Sequence, residues 1–367
     1  MAPKVVVAFR PLLKRGVAQR PLSSGRRVQT GAGGLETGLF RREYTMHKKA
    51  LTVAIAGALA APMAAQAVDF TVSGHVNRAI VFTDQNTGGS VTQNKDNGSS
   101  GTRVRFTGSS ETMSGITAGV NMELGVNSAS GVSVRHSNVS FGGEFGTLKL
   151  GHTGEAADGV TYNDKSGVFG IGHGQETGMS EAKNWTPGMG GSRKAGIHFS
   201  SASFGPAQLH LSGADDDRFS AKVTFSGDAG VASYGGGVAF LDTGDGYQEV
   251  AGGLGLKLSS GVTFSMAGGS RSSGDEATFV QSTVGYVFGN NAVGVSWYGS
   301  SDVTYGGDTE MYDGMMADGQ AIGLGFKHTM PKSAVEIIAA VQQYSADLHG
   351  GGEVDDTVAV IGARVKF

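Results

Sequence analysis

Few residues of this sequence have the spacing that catalysis or metal binding requires. No histidines form the close pairs typical of a zinc site, and no serine, histidine and carboxylate can be grouped as a nucleophilic triad. Two aspartate runs, 215–217 and 355–356, could offer oxygen ligands to calcium, but such runs are also ordinary in solvated loops. We therefore predict no catalytic residue, no metal site and no cofactor, with calcium in the acidic loops as the open alternative. The scattered histidines are His136, His152, His173, His198 and His210.

Charged residues instead alternate with apolar ones along many short segments. In 102–106, Arg103 and Arg105 share one face and apolar residues share the other. Segments 219–225 and 359–367 have the same period of two, which is that of a β-strand whose faces meet different surroundings. A soluble β-sandwich also alternates, so this pattern alone leaves both architectures open.

The lengths of the connections favour a barrel in a membrane. About 16 segments follow one another, and tight turns alternate with longer loops, as in barrels whose short turns and long loops face opposite compartments. The predicted fold is therefore all-β, a transmembrane antiparallel β-barrel of about 16 strands. The predicted strands lie near 70–82, 102–109, 115–125, 132–142, 146–152, 193–201, 204–212, 217–227, 230–241, 247–259, 261–271, 276–288, 291–301, 318–330, 332–345 and 356–367, with tight turns at 142–144, 227–229, 260, 289–290 and 331 and longer loops at 83–101, 153–192, 302–317 and 346–355.

Composition supports the same class and excludes one kind of partner. The chain has 62 glycines, 7 prolines and no cysteine, which suits short strands joined by tight turns. Residues 1–67 hold 11 of the 29 basic and 2 of the 32 acidic residues, so 18 basic and 30 acidic residues remain, a net charge of −12. Because phosphate binding requires clustered basic residues, we predict no nucleic-acid partner.

The N-terminal region is expected to be processed. Residues 46–67 combine a basic start, an apolar stretch at 50–63 and small residues at Ala65 and Ala67, which predicts a secretory signal peptide cleaved after Ala67. The apolar stretch is shorter than the roughly 20 residues of a membrane-spanning helix, the competing interpretation. Residues 1–45 are interpreted as an upstream artefact or a disordered extension, with a functional basic tail as the alternative. Residues 68–367 form the predicted barrel.

Several stretches resemble the general, trimeric, 16-stranded outer-membrane porins of Gram-negative bacteria. Segment 103–124 is similar to their second and third strands, and 139–151 to the strand, glycine-rich turn and strand that precede their longest loop. Segment 197–206 resembles the next hairpin, and the chain ends on Phe367 after alternating residues, as the family's C-terminal assembly signature does.

The resemblance implies a location, a function and partners. It implies a protein of the cell outer membrane that forms a water-filled channel for the passive diffusion of small hydrophilic solutes and ions. Its implied partners are two further copies in a homotrimer, outer-membrane lipid and lipopolysaccharide, and the assembly machinery that reads Phe367.

The resemblance also implies a constriction. In the family, the loop after strand five, here 153–192, folds into the lumen and faces basic residues of the wall, so that a transverse field orders water and passing solutes. Two departures appear at His75 and His152, where relatives tend to have arginine. The basic wall is predicted from Arg103, Arg105, His75 and Lys149, and the acidic loop from Glu155, Asp158 and Asp164.

Two further expectations concern the ion selectivity of the channel and the surroundings of Arg78. The acidic net charge predicts a mild cation preference, because a cleft lined with one sign of charge concentrates counter-ions. Arg78 has the parity of Val76 and Ile80, and an arginine facing lipid near the midplane would cost about 2–4 kcal/mol. A subunit contact or a position near the rim would remove that cost.

Two rival functions share the barrel fold. A barrel hydrolase would need a nucleophile beside a positioned histidine, and a surface adhesin without an open pore would need long ordered loops. Only 153–192 approaches such a length, so we predict a channel and no enzyme.

Overall fold

The computed structural model describes one β-sheet protein. Contacts divide the chain into the units Met1–Pro62 and Met63–Phe367, and every described residue belongs to the second. The upstream segment and the predicted signal peptide therefore lie outside the described residues. Within those residues, no helix is long and apolar enough to cross a membrane. The described ranges are 69–85, 89–96, 100–111, 115–127, 131–168, 185, 191–244, 246–272, 276–304 and 314–367.

Strands account for most of the described residues, and each pairs antiparallel with its neighbours. The strands are β1 (Asp69–Gln85), β2 (Gly89–Lys95), β3 (Arg103–Glu111), β4 (Thr117–Asn127), β5 (Gly131–Gly143), β6 (Gly146–Gly154), β7 (Arg193–Ser201), β8 (Ala207–Ala214), β9 (Phe219–Asp228), β10 (Ala232–Asp242), β11 (Gln248–Leu258), β12 (Val262–Ser272), β13 (Thr278–Phe288), β14 (Asn291–Thr304), β15 (Met316–Thr329), β16 (Val335–Leu348) and β17 (Glu353–Lys366).

The sheet closes on itself, which confirms the predicted barrel. The β1 strand pairs with β17 from His75 to Gln85, so no edge is left to expose unpaired backbone groups to hydrocarbon. The other side of β1 pairs with β3 over 69–75 and with β2 over 79–85. Because β2 and β3 occupy the same place in the wall, the 17 segments form a 16-stranded barrel.

Two of the predicted long loops are wrong. Segment 83–101 contains the end of β1 and all of β2, which pair with each other as a hairpin. Segment 346–355 is mostly strand, because β16 continues to Leu348 and β17 begins at Glu353. In both places the strands extend beyond the apolar band into polar residues, where hydrophobic alternation no longer marks them.

The two faces of the wall differ as the alternation predicted. Along β1, Ile80 and Phe82 expose 44% and 47% of their surface, whereas Asn77 and Val81, on the other face of the strand, are fully buried. The exposed apolar face is the outward one, as expected of a barrel surrounded by lipid. On the inward side, Ala157, Val160 and Trp185 of the 155–192 connection join wall residues of β10 to β17 in one hydrophobic cluster.

Candidate functional site

A buried carboxylate on β4 binds basic residues of the neighbouring strands. Glu123 has no exposed surface, and Arg105 on the neighbouring strand donates from Nε to its Oε2 at 2.7 Å. Arg103 reaches Oε1 through Nη1 at 3.4 Å. Both arginines were predicted, and they lie together on the inward face because Arg103 and Arg105 pair with Gly125 and Glu123 across the β3–β4 ladder.

A third arginine reaches the same carboxylate through an irregularity in β5. His136 pairs with Glu123 and Val134 pairs with Leu124, so Arg135 is the extra residue of a β-bulge. Its Nε donates to Glu123 Oε1 at 2.8 Å. The prediction did not include Arg135, although a signal existed: the apolar outward residues of β5 change from even to odd numbers along the strand.

A fourth arginine approaches from the end of the longest connection. Arg193, the first residue of β7, donates from Nε to His136 Nε2 at 3.4 Å. The Arg103, Arg105, Arg135, Arg193 and Glu123 side chains are called the arginine cluster below. It contains four guanidinium groups and one carboxylate, so its formal charge is +3.

His75 lies beside this cluster rather than in it. Its Nε2 is 3.1 Å from both the carbonyl oxygen of Gly101 and the hydroxyl of Ser100. Arg103 and Arg364 also donate to that Ser100 hydroxyl, at 3.4 and 3.3 Å. The structure therefore brings His75 together with Arg103 as predicted, and adds Arg364, which β17 supplies across the barrel closure.

Lys149 belongs to a separate basic group. It is in register with His198 on β7, and the His198 ring is 6.0 Å from that of His210 on β8. Lys222 on β9 donates to the carbonyl oxygen of Asp158 at 2.7 Å. Lys149 itself forms no ion pair with any described residue. The predicted basic wall is thus two groups, one around Glu123 and one around β6 to β9.

Glu155, predicted to line the opening, is enclosed by protein. It is 4% exposed and accepts hydrogen bonds from Arg218 Nε at 2.8 Å and from the Ser192 amide at 2.8 Å. Burial by itself would raise the pKa of this carboxyl, but the Arg218 and Ser192 hydrogen bonds outweigh it and lower the pKa. The charge of Glu155 is neutralised by Arg218, and its carboxylate links the two ends of the connection by binding Ser192.

Asp158 lies among basic residues of β5, β7 and β9, whose charges act on its carboxyl. Burial raises the pKa of its carboxyl, against the opposing effect of the Arg193 and Lys222 charges. Arg135 of the arginine cluster acts on it in the same direction as Arg193. Acid and base therefore do approach each other here, but with the bases in excess.

Asp164 lies farther along the connection, and its side chain binds a residue two positions later in the same segment. Its two carboxylate oxygens accept hydrogen bonds from the amide and the hydroxyl of Ser166, both at 2.8 Å. The nearby 169–184 segment, with the acidic residues Glu176 and Glu181, lies outside the described residues.

The first part of the connection contacts the inward side of the distant wall. The amides of Ala156 and Ala157 donate to the hydroxyls of Ser212 and Ser220, at 2.9 and 3.2 Å. Farther on, Gln281 on β13 donates to the carbonyl oxygen of Thr161 at 2.9 Å. These partners belong to β8, β9 and β13; β13 lies across the barrel from β3 to β5, whereas β8 is the neighbour of β7, which carries Arg193.

One group with metal-ligand chemistry appears away from these residues. Ligand atoms of Asp302, Asp318 and His349 lie within 4.8 Å of one another at the loop ends of β14, β15 and β16. Exposed acidic groups of this kind are common without an ion. The aspartate runs that the sequence offered for calcium are not part of it.

Comparison with known proteins agrees with this architecture. The family model described as Gram-negative porin matches residues 50–364, which begin inside the predicted signal peptide. Among curated proteins none is significantly similar in sequence.

Solved structures share the fold at low identity. An anion-selective porin from Comamonas acidovorans is 19% identical, with 82% of this chain and 100% of that one covered at a TM-score of 0.60. The outer membrane channel DcaP of Acinetobacter baumannii is 14% identical, with 83% and 99% covered at 0.61. A triply substituted Rh. blastica porin is 18% identical, with 82% and 100% covered at 0.54. With a closed 16-stranded barrel whose charges face inward and a family model that spans most of its length, the chain belongs to the Gram-negative porins, the channels of the outer membrane.

Proposed function

We propose that this channel passes small hydrophilic solutes by passive diffusion and favours anions. The observation that carries the proposal is the arginine cluster, in which three guanidinium groups contact one buried carboxylate and a fourth lies beside them on His136. A solute that passes this wall meets excess positive charge, which lowers the energy of an anion relative to a cation. Family membership and fold point to a channel rather than an enzyme.

This proposal departs from the cation preference that net charge predicted. Aspartates at 215–217, 302 and 355 belong to strand ends and connections, not to the inward wall around Glu123. Exposed charges farther away than about 10 Å are largely screened at 0.1 M salt. The charges nearest the permeation path should therefore decide the selectivity, and these are mainly basic.

The narrowing of the lumen is part of the same proposal. The 155–168 segment and Trp185 are supported against inward residues of β8 to β15 by hydrogen bonds and by apolar packing. A chain segment in that position would reduce the cross-section and leave the path between itself and the arginine cluster. Asp158 would then line the path, while Glu155 would only hold the connection in place through its bonds to Arg218 and Ser192.

Reversal potentials in a potassium chloride gradient test the proposal directly. Purified protein in a planar bilayer should show a potential of the sign expected when chloride is the more permeant ion. A cation-favouring sign would refute the anion preference and restore the expectation from net charge. A protein that forms no conducting steps would instead favour the adhesin or hydrolase alternatives.

Assembly as a homotrimer is proposed on the outward face of β1. Arg78 points outward between Val76 and Ile80, and it pairs with Asp96 at 3.2 Å. An ion pair within an apolar band is expensive against lipid, so a second copy of the chain is the better neighbour for this face. Lipopolysaccharide on the remaining surface and recognition of Phe367 by the assembly machinery are proposed on the family resemblance.

A further inference from the structure

The wall opposite the arginine cluster contains glycines where the 155–192 connection comes closest. A Cβ atom on Gly255 of β11 would lie less than 3.0 Å from the Asn163 carbonyl oxygen, and one on Gly319 of β15 would lie as close to the Trp185 carbonyl oxygen. Real Cβ atoms essentially never approach other atoms so closely. Backbone oxygens cannot rotate away as side-chain ends can, so any side chain at either glycine would displace the connection.

Two further inward glycines meet side chains of the same segment. A Cβ on Gly253 would overlap the Asn163 amide nitrogen, and one on Gly285 of β13 would overlap Ser166 Cβ. Together with Gly255 and Gly319, these positions span β11 to β15 on one side of the barrel. We call Gly253, Gly255, Gly285 and Gly319 the glycine seat.

Hydrogen bonds hold the connection at the same places independently of the glycines. Ser300 donates from its hydroxyl to the Trp185 carbonyl oxygen at 2.5 Å, beside Gly319. Gln281 binds the carbonyl oxygen of Thr161, two strands from Gly255. At the start of the connection, Ser212 and Ser220 bind two successive amides and contact each other at 2.7 Å.

The wall formed by β3 to β7 contributes long basic side chains to the interior. Its inward residues on β3 to β7 include the long side chains of Arg103, Arg105, Arg135 and Arg193, which extend into the interior. Glycine therefore leaves room on one side and arginine fills it on the other.

We propose that the glycine seat determines how far the described part of the connection, 155–168 with Trp185, extends into the lumen, and so sets the width of the path beside the arginine cluster. These glycines are positioning residues that act through the connection. The inference rests on the proposed narrowing of the lumen and identifies the part of the wall that controls it.

Single-channel conductance of Gly255→Val and Gly319→Val tests the proposal. A valine should push the connection toward the arginine cluster and reduce the conductance about twofold, since conductance follows pore cross-section. A smaller fall is expected for Gly255→Ala, which also serves if the valine variants assemble poorly. A rise would mean that the connection has been released from the wall, and would equally support the seat.

Gly213→Val is the matched control. Gly213 faces outward on β8, where a Cβ would meet nothing closer than 4.0 Å, so this variant carries the same residue change without touching the connection. Conductances of the seat variants equal to those of wild type and Gly213→Val would overturn the proposal.

A pair of complementary substitutions, one that adds a Cβ atom to the wall and one that removes it from the connection, tests the glycine seat without a conductance measurement. Gly285→Ala should lower the midpoint of thermal unfolding of the barrel, and Ser166→Gly in the same chain should recover part of the loss, because the two Cβ atoms compete for one space. Strictly additive effects would overturn the seat at this contact.

A variant lacking 160–166 separates this inference from the proposed function. If its conductance equals that of wild type, the narrowing role is wrong, whereas coupling between Gly285 and Ser166 would still show that the seat holds the segment. If its conductance rises while the seat variants stay at the wild-type value, the narrowing is right and the seat is wrong.

Discussion

Arg135 donates to Glu123 at 2.8 Å because β5 contains one residue more than β4 needs at that point. Because of the bulge, the side chains of Arg135 and His136 both lie on the inward face, whereas successive residues of a regular strand point to opposite faces. A single irregularity in one ladder thus adds a positive charge to the lumen.

Removing that charge should weaken the anion preference. A unit charge 4 Å from an ion in water contributes about 1 kcal/mol, attractive for chloride and repulsive for potassium, so Arg135→Gln should reduce the chloride-to-potassium permeability ratio by up to about 25-fold. Reversal potentials in a salt gradient measure the change. Lys332→Gln is the control, since it removes a positive charge from the exposed turn between β15 and β16 and should leave the ratio unchanged.

Substituting Arg103 and Arg105 with glutamine should shift selectivity in the same direction, and further than Arg135→Gln alone. Both side chains pair with Glu123 on the inward face, so their loss leaves the carboxylate less compensated. Ion selectivity identical to wild type in the double variant would place both residues away from the permeation path.

Glu123→Gln is expected to have two opposite effects. It removes the only carboxylate of the arginine cluster, so the anion preference should increase. It also replaces, with an amide donor, one of the two acceptor oxygens that Arg103, Arg105 and Arg135 share, and it removes the compensating charge, which should cost about 1–3 kcal/mol of folding free energy. Reversal potential and urea unfolding measure the two effects, and a variant as stable as wild type would show that water compensates the guanidinium groups fully.

The selectivity should depend on pH through Asp158. Its raised pKa means that this carboxyl gains a proton at a higher pH than an ordinary aspartate does. As pH falls through that pKa, one negative charge is lost and the anion preference increases. The comparison is with Asp158→Asn, whose pH profile should lack this step; identical profiles would exclude Asp158 from the path.

The stability of the connection should depend on pH through Glu155. Its pKa is lowered in the folded barrel, so its stabilising contribution is present above the pKa of the unfolded chain and is lost as pH falls through the folded value. Breaking its buried pair with Arg218 should cost about 3–5 kcal/mol in Glu155→Gln at neutral pH. The difference in unfolding free energy from wild type should shrink on acidification, and a constant difference would contradict the ionic role.

Strand positions were predictable because each strand separates two media. Alternating residues located all sixteen wall elements, including β17 with its inward Arg364 and outward Ile361. The prediction failed at β2 and at the β16–β17 turn, where residues beyond the apolar band carry no such contrast.

The candidate site was predictable only in part. Arg103, Arg105 and Glu123 lie in strands that resemble those of porins, and alternation places all three on the inward face. Arg193 begins a strand after a long connection, and Arg218 follows an aspartate run, so neither has a local pattern that reveals its partner.

The amino-acid sequence by itself determined that the wall has one apolar and one polar face, because that requirement acts on every residue of a strand separately. Tertiary structure decided which charges meet, since Glu123 with Arg135 depends on a bulge and Glu155 with Arg218 on closure across 63 residues. It also decided which inward glycines lie under the connection. These are relations between segments far apart in the chain, and local periodicity does not record them.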